Sequence, residues 1–236
     1  MLVGPLYRLA VRNVATRGRV LGLFALGLVG VVVGIGIGVA EDVDRLEAGT
    51  GLVNSFGLTL FAPVTALVFA SATLGDLVED RTLVYLWARP VPRWQLAAAS
   101  FAAAFTVALP LVAGPLVVAA LATGAGADLV VGTVGGAAMA VVAYCGLFCL
   151  LGLQVRRALV WGLAYIFIWE GFVANAGANA ARLAVRSYTQ SLLSRATGED
   201  LRLADRSVAA SVLVPLAVAA VTVAITTRRL KRQDVA

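Results

Sequence analysis

Six stretches of roughly 20 or more apolar residues, at 20–40, 52–74, 96–123, 129–154, 158–175 and 208–227, leave this chain few ways to fold. A bilayer core about 30 Å thick takes about 20 helical residues to cross. Inside it, each segment must satisfy its own backbone polar groups, which a helix does. The pattern predicts an all-α integral membrane protein with six transmembrane helices in a single membrane domain, 20–236. Composition agrees, with 61% apolar and 14% charged residues, where a soluble domain runs nearer half and a quarter. Pro110 and Pro115 make a kink in the third span an expectation, and Glu170 and Asn175 interrupt the fifth.

Two scarcities narrow the chemistry. The chain has no histidine, which removes histidine acid–base catalysis and HExxH zinc sites. Its one lysine, Lys231, lies in no Gly-x-x-x-x-Gly-Lys context, so these 236 residues hold no phosphate-binding P-loop. No catalytic residue, metal or cofactor is expected on the chain itself. Cys145 and Cys149, four apart in an apolar run, read as small packing residues on one helix face.

The net charge of +6 comes almost wholly from arginines that flank apolar segments, which points to membrane topology rather than to nucleic acid. With both termini inside, the inner segments carry Arg8, Arg12, Arg17 and Arg19, then Arg81, Arg89 and Arg93, then Arg156 and Arg157, then Arg228, Arg229, Lys231 and Arg232. The two short outer loops carry Arg45 alone, beside the acids Glu41, Asp42, Asp44 and Glu47. The segment 176–207 dissents, with five arginines on the nominal outside, unless it folds back onto the membrane. Residues 1–19 read as an amphipathic interfacial helix: Arg8, Arg12 and Arg19 cluster within about 40°, with Leu2, Leu6, Leu9 and Ala10 opposite. Gly30, Gly34 and Gly38, and again Gly132 and Gly136, form small-residue ridges that predict close helix packing, within the chain or between subunits.

The segment 75–93, GDLVEDRTLVYLWARPVPR, is heavily charged for a connector in so apolar a chain. Asp76, Glu79, Asp80 and Arg81 fit the first turns of a short helix, where acids favour the dipole. Leu77, Val84 and Trp87 share one side, Pro90 and Pro92 end it, and Trp94 suits an interfacial anchor for the next span.

This segment resembles the cytoplasmic stretch between the second and third spans of type-2 ATP-binding-cassette exporter permeases. Their pattern is an acidic/basic cluster, Thr-Leu, a Leu three residues on, then Arg-Pro-Val-x-Arg. Glu79, Asp80, Arg81, Thr82, Leu83, Leu86, Arg89, Pro90, Val91 and Arg93 match it, with Arg81 where the family commonly has glycine. The resemblance implies a coupling helix that docks on a separate, dimeric cytoplasmic ABC ATPase subunit, which would hold the ATP and Mg. Asp76, Glu79, Asp80, Arg81, Arg89 and Arg93 would be the ATPase-coupling residues. It further implies a second permease copy or homologue and a prokaryotic plasma-membrane location with both termini cytoplasmic. Residues 176–206 would then be re-entrant helices between spans 5 and 6 that gate the outer end.

Glu170 stands about 18 Å along the fifth span from Ala158. A carboxylate at that depth costs several kcal/mol unless it is paired, protonated or hydrated, so it is a functional candidate by position. Arg182, Arg186, Asn175 and Asn179 are its prospective partners. With Asn175 and Asn179 it could line or gate a pathway, fix the outer helices by hydrogen bonding, or carry a proton. The leading expectation is the permease subunit of an ATP-driven exporter. The alternatives are a proton-coupled secondary transporter using Glu170 and a non-transporting assembly or sensory subunit.

Overall fold

The structure is a computed structural model that describes residues 3–79 and 92–232. The described residues form helices and no strand. Six helices are long and apolar enough to cross a membrane: Arg17–Val39, Arg45–Asp76, Arg93–Ala122, Ala127–Gln154, Ala158–Asn175 and Val208–Lys231, numbered spans 1 to 6. They match the expected stretches closely, because helix-length apolar runs are the strongest signal a sequence carries. Span 2 differs most. It starts at Arg45 rather than at 52 because Asp44 caps it, its Oδ1 accepting from the backbone N–H of Leu46 and Glu47 at 2.9 and 3.2 Å. Asp44 and Glu47, acids of the segment between spans 1 and 2, thus begin a helix. Six crossings place the described helix ends that lead to the two termini at one end of the bundle, the termini end, and the 5–6 segment at the far end.

Spans 2 and 4 form the central pair, flanked by span 3. Phe61, Phe69, Leu116, Tyr144 and Phe148 are fully buried between them. Spans 1, 5 and 6 turn large apolar side chains outward, among them Phe24, Val32, Trp161, Phe167, Phe172 and Leu213. An apolar belt of this extent belongs against acyl chains. Buried hydroxyls such as Ser71, Thr133 and Thr226 donate to carbonyls one turn back in their own helices, which satisfies them without water. Pro110 and Pro115 sit inside the continuous helix of span 3, and Pro115 packs toward Gly27 of span 1.

Both glycine ridges are used within the chain. Gly30 faces the Phe56 ring, and Gly34 and Gly38 face the Ala119 and Ala122 carbonyls of span 3. Gly132 and Gly136 seat Leu193, Ala196 and Leu58.

The N-terminal helix, Val3–Val14, packs against span 3, with the Tyr7 hydroxyl 2.9 Å from Thr106 Oγ1 and Val14 fully buried. Leu9, expected on its apolar side, is 61% exposed. The packed face is instead Tyr7, Ala10, Val11 and Val14, because the helix leans on a neighbouring span. Arg8 and Arg12 are exposed as expected.

Between spans 2 and 3 the expected coupling helix lies outside the described residues, apart from its flanks. Those flanks correct one expectation. The helix Ala62–Glu79 continues span 2 without a break, so Asp76 and Glu79 belong to it rather than to the first turns of a new helix. Asp76 Oδ2 accepts from both Nη1 and Nη2 of Arg19, each at 3.1 Å, tying the start of span 1 to span 2. Each side chain is 32% exposed, so the pair contributes about 1 kcal/mol or less. Asp76→Asn is therefore expected to lower the melting temperature by only a few degrees, as read by thermal unfolding in detergent. A shift beyond about 8 °C would mean that the pair does more than join two helix ends.

Between spans 5 and 6 the chain forms a short helix, Ala178–Ala181, and a longer one, Val185–Thr197, the 5–6 helix. The latter packs on span 4, span 6 and the start of span 2. It ends at Gly198, whose φ of 77° is the left-handed conformation that closes a helix C-terminus.

Candidate functional site: a polar cluster joining spans 2 and 5

Two spans change helical pitch on the far-end side of the bundle. Val53–Phe61 in span 2 and Tyr165–Phe172 in span 5 are π-helical. Such segments admit an extra residue per turn, re-aim side chains, and recur at functional positions. Each carries a polar residue that an apolar span would otherwise exclude: Asn54 in the first, Glu170 in the second.

Glu170 is 1% exposed. Its Oε1 accepts from the Tyr165 hydroxyl and the Val185 N–H, both at 3.0 Å, and its Oε2 accepts from the Arg186 N–H at 3.2 Å. The Tyr144 hydroxyl of span 4 is a further neighbour. Val185 and Arg186 are the first two residues of the 5–6 helix, whose preceding residue Ala184 has no side chain able to cap it. The carboxylate takes over that task. It satisfies two of the orphan amides at the helix start and places negative charge at the positive end of the dipole.

The Arg186 side chain reaches Gln190 and forms no ion pair with the carboxylate. With its oxygen facing the guanidinium, the Gln190 amide accepts from Arg186 Nε and Nη2 at 2.8 and 3.2 Å. The same amide lies 2.6 Å from the Asn54 side chain of span 2. Gln190 is itself 1% exposed. A continuous polar path therefore runs from Tyr165 and Glu170 on span 5, through the start of the 5–6 helix and Arg186, to Gln190 and Asn54 on span 2. Glu170 and Arg186 offset one another's charge without a direct ion pair. That arrangement suits a low-dielectric interior, where an uncompensated charge is costly. Stacking of Tyr144 on Phe148 at 5.8 Å, and the edge contact of Phe148 with Tyr165 at 6.1 Å, carry the cluster onto span 4.

Of the expected partners of Glu170, Arg186 is present through its backbone. Arg182 is exposed on its side-chain face, and its carbonyl accepts from the Tyr188 hydroxyl at 2.8 Å. Asn175 donates to the Gly171 carbonyl at 2.6 Å, and Asn179 is exposed on the short helix. The structure thus does not gather Asn175 and Asn179 around the carboxylate, because the π turn points Glu170 at the 5–6 helix. Tyr165, Tyr144, Gln190 and Asn54 were not anticipated. Only Asn54, an amide inside an apolar run, carried a sequence signal.

Of the expected coupling residues, Asp76 is engaged with Arg19, and Arg93 opens span 3. Glu79 lies on the helix that continues span 2. Asp80, Arg81 and Arg89 lie outside the described residues. Among the described residues no three acids or cysteines group to hold a metal. Cys145 and Cys149 are buried free thiols, Cys149 Sγ lying 3.5 Å from Thr73 Oγ1.

Scanning the chain against protein-family models and searching the curated proteins return no match.

Proposed function

We propose that this chain is the permease subunit of an ATP-driven exporter, working as a dimer with a second permease on a dimeric cytoplasmic ATPase that holds ATP and Mg. The carrying observation is the place of the motif. Residues 80–91 join two rigid helices, span 2 continuing unbroken through Glu79 and span 3 opening at Arg93, at the termini end of the bundle. Spans 2 and 3 pack against each other. A push that reaches the flanking ends of spans 2 and 3 is delivered to the centre of the bundle. The absence of a P-loop from the sequence fits a subunit driven from outside, and the basic-residue count favours this end as the cytoplasmic one, in what the family resemblance implies is a prokaryotic cell.

At the far end, the cluster from Glu170 to Asn54 ties span 5 and the 5–6 helix to span 2. In this reading the 5–6 segment folds into the outer face of the membrane and opens when span 2 moves. A proton-driven cycle fits less well, since protonating Glu170 would remove the cap of the 5–6 helix in every turnover.

The test is to purify the tagged chain from its native membrane and measure the ATPase that accompanies it. The wild type is expected to bring down a subunit with Walker motifs and to stimulate its ATP hydrolysis in vesicles. With Glu79, Asp80 and Arg81 all replaced by alanine, the chain should insert and melt normally but lose most of that stimulation. Purification without any ATPase, or an unchanged triple variant, would overturn the reading.

A further inference from the structure

A second polar feature lies at the far end, apart from the Glu170 cluster. The last turn of span 5, the short helix after it and the loop before span 6 line a half-open cavity of about 260 Å³. Arg202, Arg206, Asn175 and Asp205 line it, with Ala174, Ala181 and Leu203 forming an apolar floor. Arg206 is held in place through its backbone. Its N–H donates to Ser191 Oγ at 3.1 Å, and its carbonyl accepts from Arg195 Nε at 3.1 Å. Yet its own Nε is buried and has no hydrogen-bond partner. A buried guanidinium donor without an acceptor is costly and rare in native structures. Asp205 does not supply the acceptor, for the only ion pair between described residues joins Arg19 and Asp76. Arg202 adds to the imbalance, since its charge also repels that of Arg186.

Two arginines and one unpaired aspartate around a cavity leave it with an unbalanced positive charge, a site short of one anion. We infer that this pocket binds the anionic group, phosphate above all, of an amphiphile whose apolar part rests on the alanine and leucine floor, with Arg206, Arg202 and Asn175 as the polar contacts. A guanidinium offers the forked donor geometry that phosphate oxygens match. By span count the site lies at the far end of span 5, at the level of lipid headgroups. The five arginines of 176–207, which the topology count could not place outside, then have a reason: some hold an anion rather than report sidedness.

The experiment uses the full chain in a neutral detergent and follows its melting temperature, with lipid adducts counted by native mass spectrometry. Phosphatidylglycerol is expected to stabilise the wild type and to remain as one retained adduct, with phosphatidylcholine weaker. Arg206→Gln should weaken phosphatidylglycerol binding roughly tenfold, the loss of one charge-assisted hydrogen bond. Arg12→Gln, on the exposed face of the N-terminal helix, should leave it unchanged. Inorganic phosphate separates the sources. Stabilisation by phosphate alone, lost in Arg206→Gln, assigns the site to a phosphate group whatever carries it, whereas stabilisation only by the lipid assigns it to the headgroup. Should Arg206→Gln fail to fold, Asn175→Ala and the wild-type titration decide. Equal effects of Arg12→Gln and the pocket variants, or no stabilisation of the wild type by either probe, would overturn the site.

Discussion

Replacing Glu170 with alanine is expected to lower the stability of the chain by roughly 2–4 kcal/mol, from the hydrogen bonds and the helix cap it removes. The Tyr165 hydroxyl and the Val185 and Arg186 amides lose their acceptor together, in a place where water does not replace it. Arg186 also loses the charge that offsets its own. Relief of the desolvation cost of a buried carboxylate works the other way, which keeps the figure below a plain sum of three hydrogen bonds. Glu170→Gln separates the contributions. Its carbonyl can still serve Tyr165 and Val185, but its amide group then meets the Arg186 N–H, donor against donor. A loss of roughly 1–2 kcal/mol is expected. The measurements are unfolding in detergent and hydrogen exchange at residues 185–189, which should speed up in both variants, most in the alanine. Wild-type stability and exchange in Glu170→Ala would show that the carboxylate does not hold the 5–6 helix.

Glu170 also marks how far local sequence determines the site. Glu170 was conspicuous because a carboxylate deep in an apolar span needs an explanation, and its depth followed from the helix rise alone. Of its partners only Arg186 is legible, and it engages through its amide rather than its side chain. The donors are backbone amides fifteen and sixteen residues further on, exposed by the chance that Ala184 cannot cap its own helix. Nothing in local composition marks a backbone amide as unpaired. The π turns were equally hidden, since Val53–Phe61 and Tyr165–Phe172 read as ordinary apolar helix. The pairing of Asn54 with Gln190 spans 136 positions of sequence and depends on both turns being wound as they are. By contrast, span positions, the glycine ridges and the exposed Arg8 and Arg12 came directly from hydropathy and helical periodicity. Asp76 falls between these cases: its charge was noticed, but its commitment to Arg19 is a tertiary fact.

The two ends of span 2 are therefore held differently. At the far end a polar network fixes a wide-pitch turn, and at the termini end the contact with span 4 is backbone against backbone.

Gly152 of span 4 carries that second contact, and Gly152→Leu is expected to be among the most damaging single changes in the bundle. A Cβ at Gly152 would be driven into the Ser71 carbonyl oxygen of span 2 and sit 3.0 Å from its carbon and Cα. These are backbone atoms and cannot rotate aside. Gly75, one turn beyond Ser71, faces the Gly152 carbonyl, so span 2 contributes a small-x-x-x-small face to the crossing. Alanine should cost roughly 1–3 kcal/mol by forcing the helices apart, and leucine more. Gly36 is the internal control, because a Cβ there meets nothing within 4 Å. Gly36→Ala should be neutral or stabilising by up to about 1 kcal/mol through helix propensity. Melting temperatures of the three variants test the stability argument, and a Gly36→Ala loss equal to that of Gly152→Ala would remove the role of the crossing. The same variants bear on coupling. The crossing lies immediately before the segment proposed to receive the push, so a Gly152→Ala protein that still folds should stimulate its ATPase less than its stability predicts. A slack contact between spans 2 and 4 lets span 2 move without carrying the rest of the bundle with it.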